Sequence, residues 1–217
     1  MRQKIEVMQD IQQRNEQLAA KVKARLTAAD VFAVNILGCP GAGKTTVLTK
    51  LIPHLDQKVF IIEGDIASDI DTQKLNQMGI DTVQINTGGC CHLDAPMIEQ
   101  AFPTGFSNGF LFIENIGNLV CPAEFLIGEH IKLLISSVTE GSDKPYKYPL
   151  AFEKADMVIL NKCDLLEYVD FDEPFFMEGV RRLNPEVPVF KCAKNGEAGF
   201  VEAANWLMQK RAQKESV

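Results

Sequence analysis

The sequence predicts an α/β fold: a doubly wound, mostly parallel sheet with helices on both faces. Three observations carry this expectation. Short apolar runs recur along the chain, helical patterns alternate with them, and most runs are apolar almost throughout rather than at every second position. Continuous apolarity belongs to strands covered on both faces, and β–α alternation belongs to parallel sheets joined by helical crossovers. The 217 residues suffice for one domain of this kind with a sizeable core.

Residues 3–27 place Ile5, Met8, Ile11, Leu18, Val22 and Leu26 at helical spacing, which predicts an N-terminal amphipathic helix. This segment, 1–29, is set apart from a body spanning 30–217. Packing on that body is its expected role, and a partner-docking arm is the other reading. The runs VFAVNIL (31–37), KVFIIE (58–63), DTVQI (81–85), FLFIENI (110–116), IKLLISSV (131–138), MVILNK (157–162) and PVFKC (188–192) read as buried strands. Helices are expected near 44–56, 70–78, 93–102, 173–184 and 198–213. Loops then gather at the carboxyl ends of the strands, where ligands bind in such sheets.

Composition narrows the function classes. Net charge is −7, so a sequence-independent grip on a nucleic-acid backbone is not expected. No apolar run approaches the roughly 18 residues of a membrane helix, and the first residues lack the apolar core of a secretory leader. A cytoplasmic protein without membrane contact is the expectation. In that reducing setting the six cysteines (Cys39, Cys90, Cys91, Cys121, Cys163 and Cys192) point to packing or metal roles rather than disulfides.

The stretch GCPGAGKTT follows the first strand and opens a helical pattern. Gly38, Gly43, Lys44 and Thr45 match G-x-x-x-x-G-K-[ST], the phosphate loop of P-loop NTPases, with Gly41 and Thr46 completing the loop and the helix start. Glycines let backbone N–H groups turn inward around a phosphate, and the helix N-terminus adds partial positive charge. Lys44 is expected to reach the β- and γ-phosphates and Thr45 to ligate Mg²⁺. A carboxylate at a second strand end is also required. Glu114, in FLFIENIG, is one candidate, acting through a water or orienting the attacking water. Asp65, in IIEGDIASDID, is the candidate for Mg²⁺; Asp69 and Asp71 nearby read as solvated surface.

Base choice is read from NKCD. The Asp164 carboxylate can accept from N1–H and the 2-amino group of guanine, a pairing that adenine cannot offer, while Asn161 and Lys162 brace the base and the phosphate loop. Ala193 and Lys194, in KCAK, are candidates for a backbone contact to guanine. GTP and GDP are therefore the expected nucleotides. No arginine occurs between Arg25 and Arg181, so a cis arginine finger is not expected. Charge neutralisation rests on Lys44, Mg²⁺ and either Lys144 or a second subunit, which predicts slow hydrolysis suited to a switch.

A second chemistry lies in GGCCHLDA. Cys91 and His92, with Cys90 before them and Cys121 in NLVCPAE, offer thiolate and imidazole donors that suit Zn²⁺ or Ni²⁺. The competing reading is cysteines that pack as small hydrophobes. His54 and His130 have no such company and read as ordinary. Adjacent side chains at 91 and 92 point apart on an extended backbone, so one ion requires the loop to curl. Three donors also fall short of a closed tetrahedral set, a difficulty that eases if two chains share the ion across a two-fold axis. Glu114 and Cys121 lie seven residues apart, which links phosphate sensing to the metal along one segment.

GCPGAGKTT, EGDIASDID, QINTGGCCHLDA, LFIENIGNLVCPAEF, SVTEGSDKPYKYP and NKCDLL together resemble the hydrogenase maturation GTPases of the nickel-insertion (HypB) family, over about residues 34–166. The resemblance implies a GTP-dependent homodimer that helps deliver nickel to a [NiFe]-hydrogenase large-subunit precursor, together with a small nickel-binding accessory protein. It implies metal ligands at Cys91, His92 and Cys121, Mg²⁺ contacts at Thr45 and Asp65, Glu114 near the γ-phosphate, and guanine specificity from Asn161 and Asp164. The chain departs from some members in having no cysteine before Cys39 and no histidine before His54, in the extra Cys90, and in Cys192 where serine is commoner. The alternatives are a nucleotide-gated dimeric scaffold with structural zinc and a urease-type nickel-accessory GTPase, whose cysteine–histidine motif differs. A small-molecule kinase is a third, against which NKCD argues.

Overall fold

The computed structural model describes the backbone of residues 2–65 and 75–214, and the side chains of 13–64 and 75–213. Among the described residues the sheet has seven strands: β1 (Val31–Leu37), β2 (Lys58–Asp65), β3 (Asp81–Asn86), β4 (Gly109–Glu114), β5 (Ile131–Ser137), β6 (Met157–Asn161) and β7 (Val189–Lys191). Their order is β3-β2-β4-β1-β5-β6-β7, and every pairing is parallel. Strand β1 stands between β4 and β5, where the order switches sides, so the residues that follow Leu37 open onto a crevice at the carboxyl edge.

The helices are α1 (Arg2–Ala28), α2 (Lys44–Leu51), α3 (Ala95–Ala101), α4 (Cys121–Glu124), α5 (Lys144–Lys147), α6 (Pro149–Glu153), α7 (Glu173–Leu183) and α8 (Ala198–Lys214). Strand β1 shows why the apolar runs lack alternation. Val34 and Ile36 pack with Val47, Leu51, Phe112 and Leu207 on one face. Val31 and Ala33 pack with Val22, Leu26 and Ile98 on the other. Both faces are dry, and the one polar residue of β1, Asn35, is buried with both ends of its amide hydrogen-bonded. Helix α1 contributes Ala19, Val22 and Leu26 to that second face, each branched side chain adding about 1.5–3 kcal/mol of burial. The expected apolar positions Ile5, Met8 and Ile11 lie outside the described side chains.

Several boundaries differ from expectation for identifiable reasons. DTVQI is not a buried strand: β3 is the sheet edge, mostly exposed or half-buried, with even Val83 open to solvent. The helix expected over 44–56 ends at Leu51 and tightens into a 3₁₀ turn, Ile52–His54, because Pro53 has no N–H to continue the ladder. Strand β4 stops at Glu114, before the expected end at 116, and the Ile116 amide bonds the Asn115 side chain instead of a neighbouring strand. The short helices α4, α5 and α6, each with Pro in its first turn, were too brief for periodicity to reveal. The helix expected over 70–78 lies outside the described residues up to 74, and 75–77 are helical. Among the described residues no helix is long and apolar enough to cross a membrane.

Candidate functional site

The phosphate loop leaves β1 at Leu37 and enters α2 through Gly43, whose φ is 94°. A Cβ there would lie 2.5 Å from Asn161 Nδ2, so glycine is required both for the left-handed turn and for the approach of Asn161. That amide donates to the Ala42 carbonyl at 2.9 Å. Lys162 donates from Nζ to the Gly41 carbonyl at 2.7 Å and to Thr139 Oγ1 at 3.4 Å. The NKCD loop thus buttresses the phosphate loop directly. Helix α2 has no side-chain cap at its start, which leaves its first amides directed at the crevice, an arrangement that fits an anion.

The crevice is a cavity of about 450 Å³ lined by Gly41, Lys44, Thr45, Thr46, Glu63 and Glu114, among others. Lys44 Nζ donates to the Gly38 carbonyl at 3.4 Å. Thr45 Oγ1 stands 3.3 Å from each Glu114 carboxylate oxygen. Hydroxyl and carboxylate side by side are hard oxygen donors of the kind Mg²⁺ selects. Asp65 ends β2, but its side chain, like Asp69 and Asp71, lies outside the described residues. Glu63, read from the sequence only as strand, is buried, lines the cavity and is the register partner of Glu114. Its signal was a carboxylate that closes an apolar run, at a strand end where ligands bind in such sheets.

At the base end, Asp164 Oδ1 accepts from the Lys194 amide at 2.9 Å. The Cys163 amide donates to the Cys192 carbonyl at 2.9 Å, and the Cys192 amide to the Leu160 carbonyl at 2.8 Å. The loops containing Asn161, Lys162, Asp164, Ala193 and Lys194 therefore form one unit. Burial pushes the Cys192 thiol up to about 12. On the outer side of the phosphate loop, Lys144 Nζ lies 3.4 Å from Cys39 Sγ and 3.4 Å from a Glu140 carboxylate oxygen.

The second cluster lies beyond Glu114. The chain curls at Gly88 and Gly89, whose φ values are 61° and 102°, and this curl turns the neighbouring side chains of Cys91 and His92 toward one point. Cys91 Sγ is 3.5 Å from His92 Nδ1 and 3.0 Å from Cys121 Sγ, and the three donor atoms all lie within 4.8 Å of one another. The Cys121 thiol beside it, before any effect of burial, pushes the Cys91 thiol up. Burial lowers the His92 pKa, which favours the neutral imidazole that a metal requires. His92 also stacks on Phe125, with ring centroids 4.3 Å apart. Cys90 is exposed and stands outside the cluster. His130 is structural: its Nδ1 accepts from the Ala33 amide at 2.9 Å and its ring stacks on Phe32.

Two asparagines went unremarked in the sequence. Asn115 is buried and bonds the residue after His92. Asn118 donates from Nδ2 to the Cys91 carbonyl at 3.2 Å and accepts from the Val120 amide at 2.9 Å. Both stand in ENIGN between Glu114 and Cys121. An amide that recurs where the chain has left its strand was the available signal.

Comparison with known proteins bears on both clusters. Residues 32–191 match the family model "CobW/HypB/UreG, nucleotide-binding domain". The hydrogenase maturation factor HypB of Azotobacter chroococcum mcd 1 is 44% identical over 211 residues, 95% of this chain and 69% of the relative. The Escherichia coli K12 protein of the same name is 42% identical over 97% of this chain and 74% of its own length. A hydrogenase/urease maturation factor HypB from Helicobacter pylori J99 is 36% identical over 95% of this chain and 88% of its own length. Among solved structures, HypB from Helicobacter pylori in complex with nickel superposes with a TM-score of 0.88 at 36% identity, covering 92% of this chain and 96% of that one.

Proposed function

This chain belongs to the HypB family of hydrogenase maturation factors, and from that premise we propose that it is a GTP-hydrolysing metallochaperone that assists nickel insertion into a [NiFe]-hydrogenase large-subunit precursor. The observation that carries this reading is the convergence of Cys91, His92 and Cys121 beside the segment that starts at Glu114, itself 3.3 Å from the phosphate-loop Thr45. Nucleotide chemistry and a soft-donor metal set thus share one stretch of chain.

In this reading Lys44 neutralises the β- and γ-phosphates and Glu114 orients the attacking water. Thr45 and Asp65 hold Mg²⁺, which supplies charge neutralisation at the transferred phosphoryl group. Asn161 and Asp164 select guanine, Lys162 braces the loop, and the Ala193 and Lys194 backbone completes the base site. Cys91, His92 and Cys121 hold nickel as cargo, zinc being the other ion that thiolate and imidazole accept. A three-donor set leaves a coordination position for a second copy in a GTP-dependent homodimer, for a small nickel-binding accessory protein, or for the precursor. Turnover is slow, and the location is cytoplasmic. A relative named for both hydrogenase and urease maturation favours a second reading of the client, a urease precursor. Loss of urease activity in cells lacking this chain would support it.

The test is native mass spectrometry with Ni²⁺, comparing GDP with a nonhydrolysable GTP analogue, for wild type and Cys121→Ala. A dimer in the analogue state whose nickel is lost in Cys121→Ala is expected. Nickel held equally by monomer and dimer, indifferent to nucleotide and to Cys121, would leave a GTPase whose cysteines pack. GTP turnover no greater than that of Lys44→Ala would make the chain a scaffold instead.

A further inference from the structure

If nucleotide state governs the metal set, as proposed above, something must hold the two clusters in register, and the covalent path from Glu114 to Cys121 is a loop alone. We infer that the side chain of Asn115 is the positioning residue that joins them, with a second arm through Asn35, Glu129 and Lys132.

Asn115 is the residue after Glu114 and is 1% exposed. Its amide is bonded at both ends. Oδ1 accepts from the Leu93 amide at 3.1 Å and from the Ile116 amide at 3.0 Å. Nδ2 donates to Asn35 Oδ1 at 3.1 Å, and the backbone N–H is held by the Ile36 carbonyl at 3.1 Å. Leu93 directly follows His92, so the first arm runs from the phosphate-cavity carboxylate to one metal donor through a single buried side chain.

The second arm starts at the other end of the same amide. Asn35 Nδ2 donates to Glu129 Oε1 at 3.4 Å, and Lys132 Nζ pairs with that oxygen at 3.5 Å. Lys132 Nζ also donates to the Ala123 and Phe125 carbonyls at 3.1 and 3.3 Å. Those carbonyls end α4, the helix that begins with Cys121, and Phe125 is the ring stacked on His92. Asn35, Glu129 and Lys132 are all buried. A buried donor or acceptor deprived of its partner is costly, and more so for a charge. Residues 114–116 therefore cannot shift without carrying Leu93 and α4 along or leaving buried polar groups unpaired. Such a network turns a displacement at the carboxylate into a change in the spacing of His92 and Cys121.

The test measures Ni²⁺ affinity by competition with a chromogenic chelator, with Mg²⁺–GDP and with the Mg²⁺-bound nonhydrolysable GTP analogue. The quantity read is the ratio of the two dissociation constants. Asn115→Ala removes both arms and should bring a wild-type ratio of about 5-fold or more to within about 2-fold of unity. Glu129→Gln keeps the volume but takes the charge partner from buried Lys132, so it should lower the thermal midpoint and the ratio together while GDP affinity stays near wild type. A merely structural role would lower stability without moving that ratio. Asn115→Ala with the wild-type ratio overturns the proposal. If that variant does not fold, an unchanged ratio in Glu129→Gln overturns it and a reduced one supports it. A wild-type ratio of unity is a different failure, since it removes the nucleotide-governed metal reading itself.

Discussion

Thr45 and Glu114, 69 positions apart in the chain, meet with the threonine hydroxyl 3.3 Å from both carboxylate oxygens. The contact joins the start of α2 to the end of β4. It brings a candidate Mg²⁺ donor against a carboxylate that has no covalent reason to be there.

Glu114→Gln keeps the size and one acceptor oxygen but removes the negative charge. If Glu114 orients or deprotonates water in the transition state, GTP turnover should fall by about 10²-fold or more, with GDP affinity changed by no more than about 3-fold. Phosphate release under single-turnover conditions and GDP titration separate the two effects. Equal loss in both would make Glu114 a ligand-binding group rather than a catalytic one.

The cysteine–histidine cluster separates neighbouring cysteines. Cys91→Ser, His92→Ala and Cys121→Ser should each weaken Ni²⁺ binding by about 10²-fold, since thiolate and imidazole donors are lost from a three-donor set. Cys90→Ser should change it by less than about 3-fold, because Cys90 stands outside the group whose donor atoms lie within 4.8 Å. Chelator competition on the four variants checks this. A Cys90→Ser loss as large as that of Cys91→Ser would mean that the loop rearranges to recruit the extra thiol.

What could be read from sequence divides along the same line as what is local. The phosphate loop, NKCD and the apolar strands β1, β4 and β5 were legible because spacing within a few residues specifies them. The identity of the cysteine–histidine donors was legible by residue type. Their convergence was legible only through the family resemblance, because it depends on a curl at Gly88–Gly89 and on Cys121, 30 residues downstream. Asn115 was illegible for a related reason. An asparagine after a strand reads as a loop residue, and its role rests on partners at 35 and 93 that only the folded sheet supplies. DTVQI misled because an edge strand and a buried one differ in their neighbours more than in their composition.

Guanine selection offers a change of sign rather than a simple loss. Asp164→Asn keeps an oxygen to accept from the Lys194 amide, which Asp164 Oδ1 does at 2.9 Å, so the loop should hold. The amide presents a donor where guanine also presents a donor. GTP affinity should fall by about 10²-fold, and xanthosine triphosphate, with an acceptor at the 2-position, should gain relative to GTP. Titration with both nucleotides decides, and parallel losses would place the base elsewhere.

Cys192 supplies a pH dependence whose sign can be worked out. Burial holds its folded-state pKa up at about 12, against about 8.5 in an unfolded chain. Between those values the unfolded state has lost a proton that the folded state keeps, so stability is intact below about pH 8.5 and declines as pH rises toward 12. Serine at this position does not titrate. Cys192→Ser should therefore be less stable than wild type at pH 7, by about 1 kcal/mol for a buried hydroxyl imperfectly bonded. Raising the pH to 10 should close or reverse that gap, since the thiol then costs wild type about 1.5–2 kcal/mol. Urea midpoints of the two proteins at pH 7 and pH 10 make the comparison with the remaining cysteines held constant. A difference that does not change with pH would mean that the Cys192 thiol ionises as readily in the fold as in the open chain. Its contact with the loop that carries Asp164 would then be wetter than its burial beneath α8 implies.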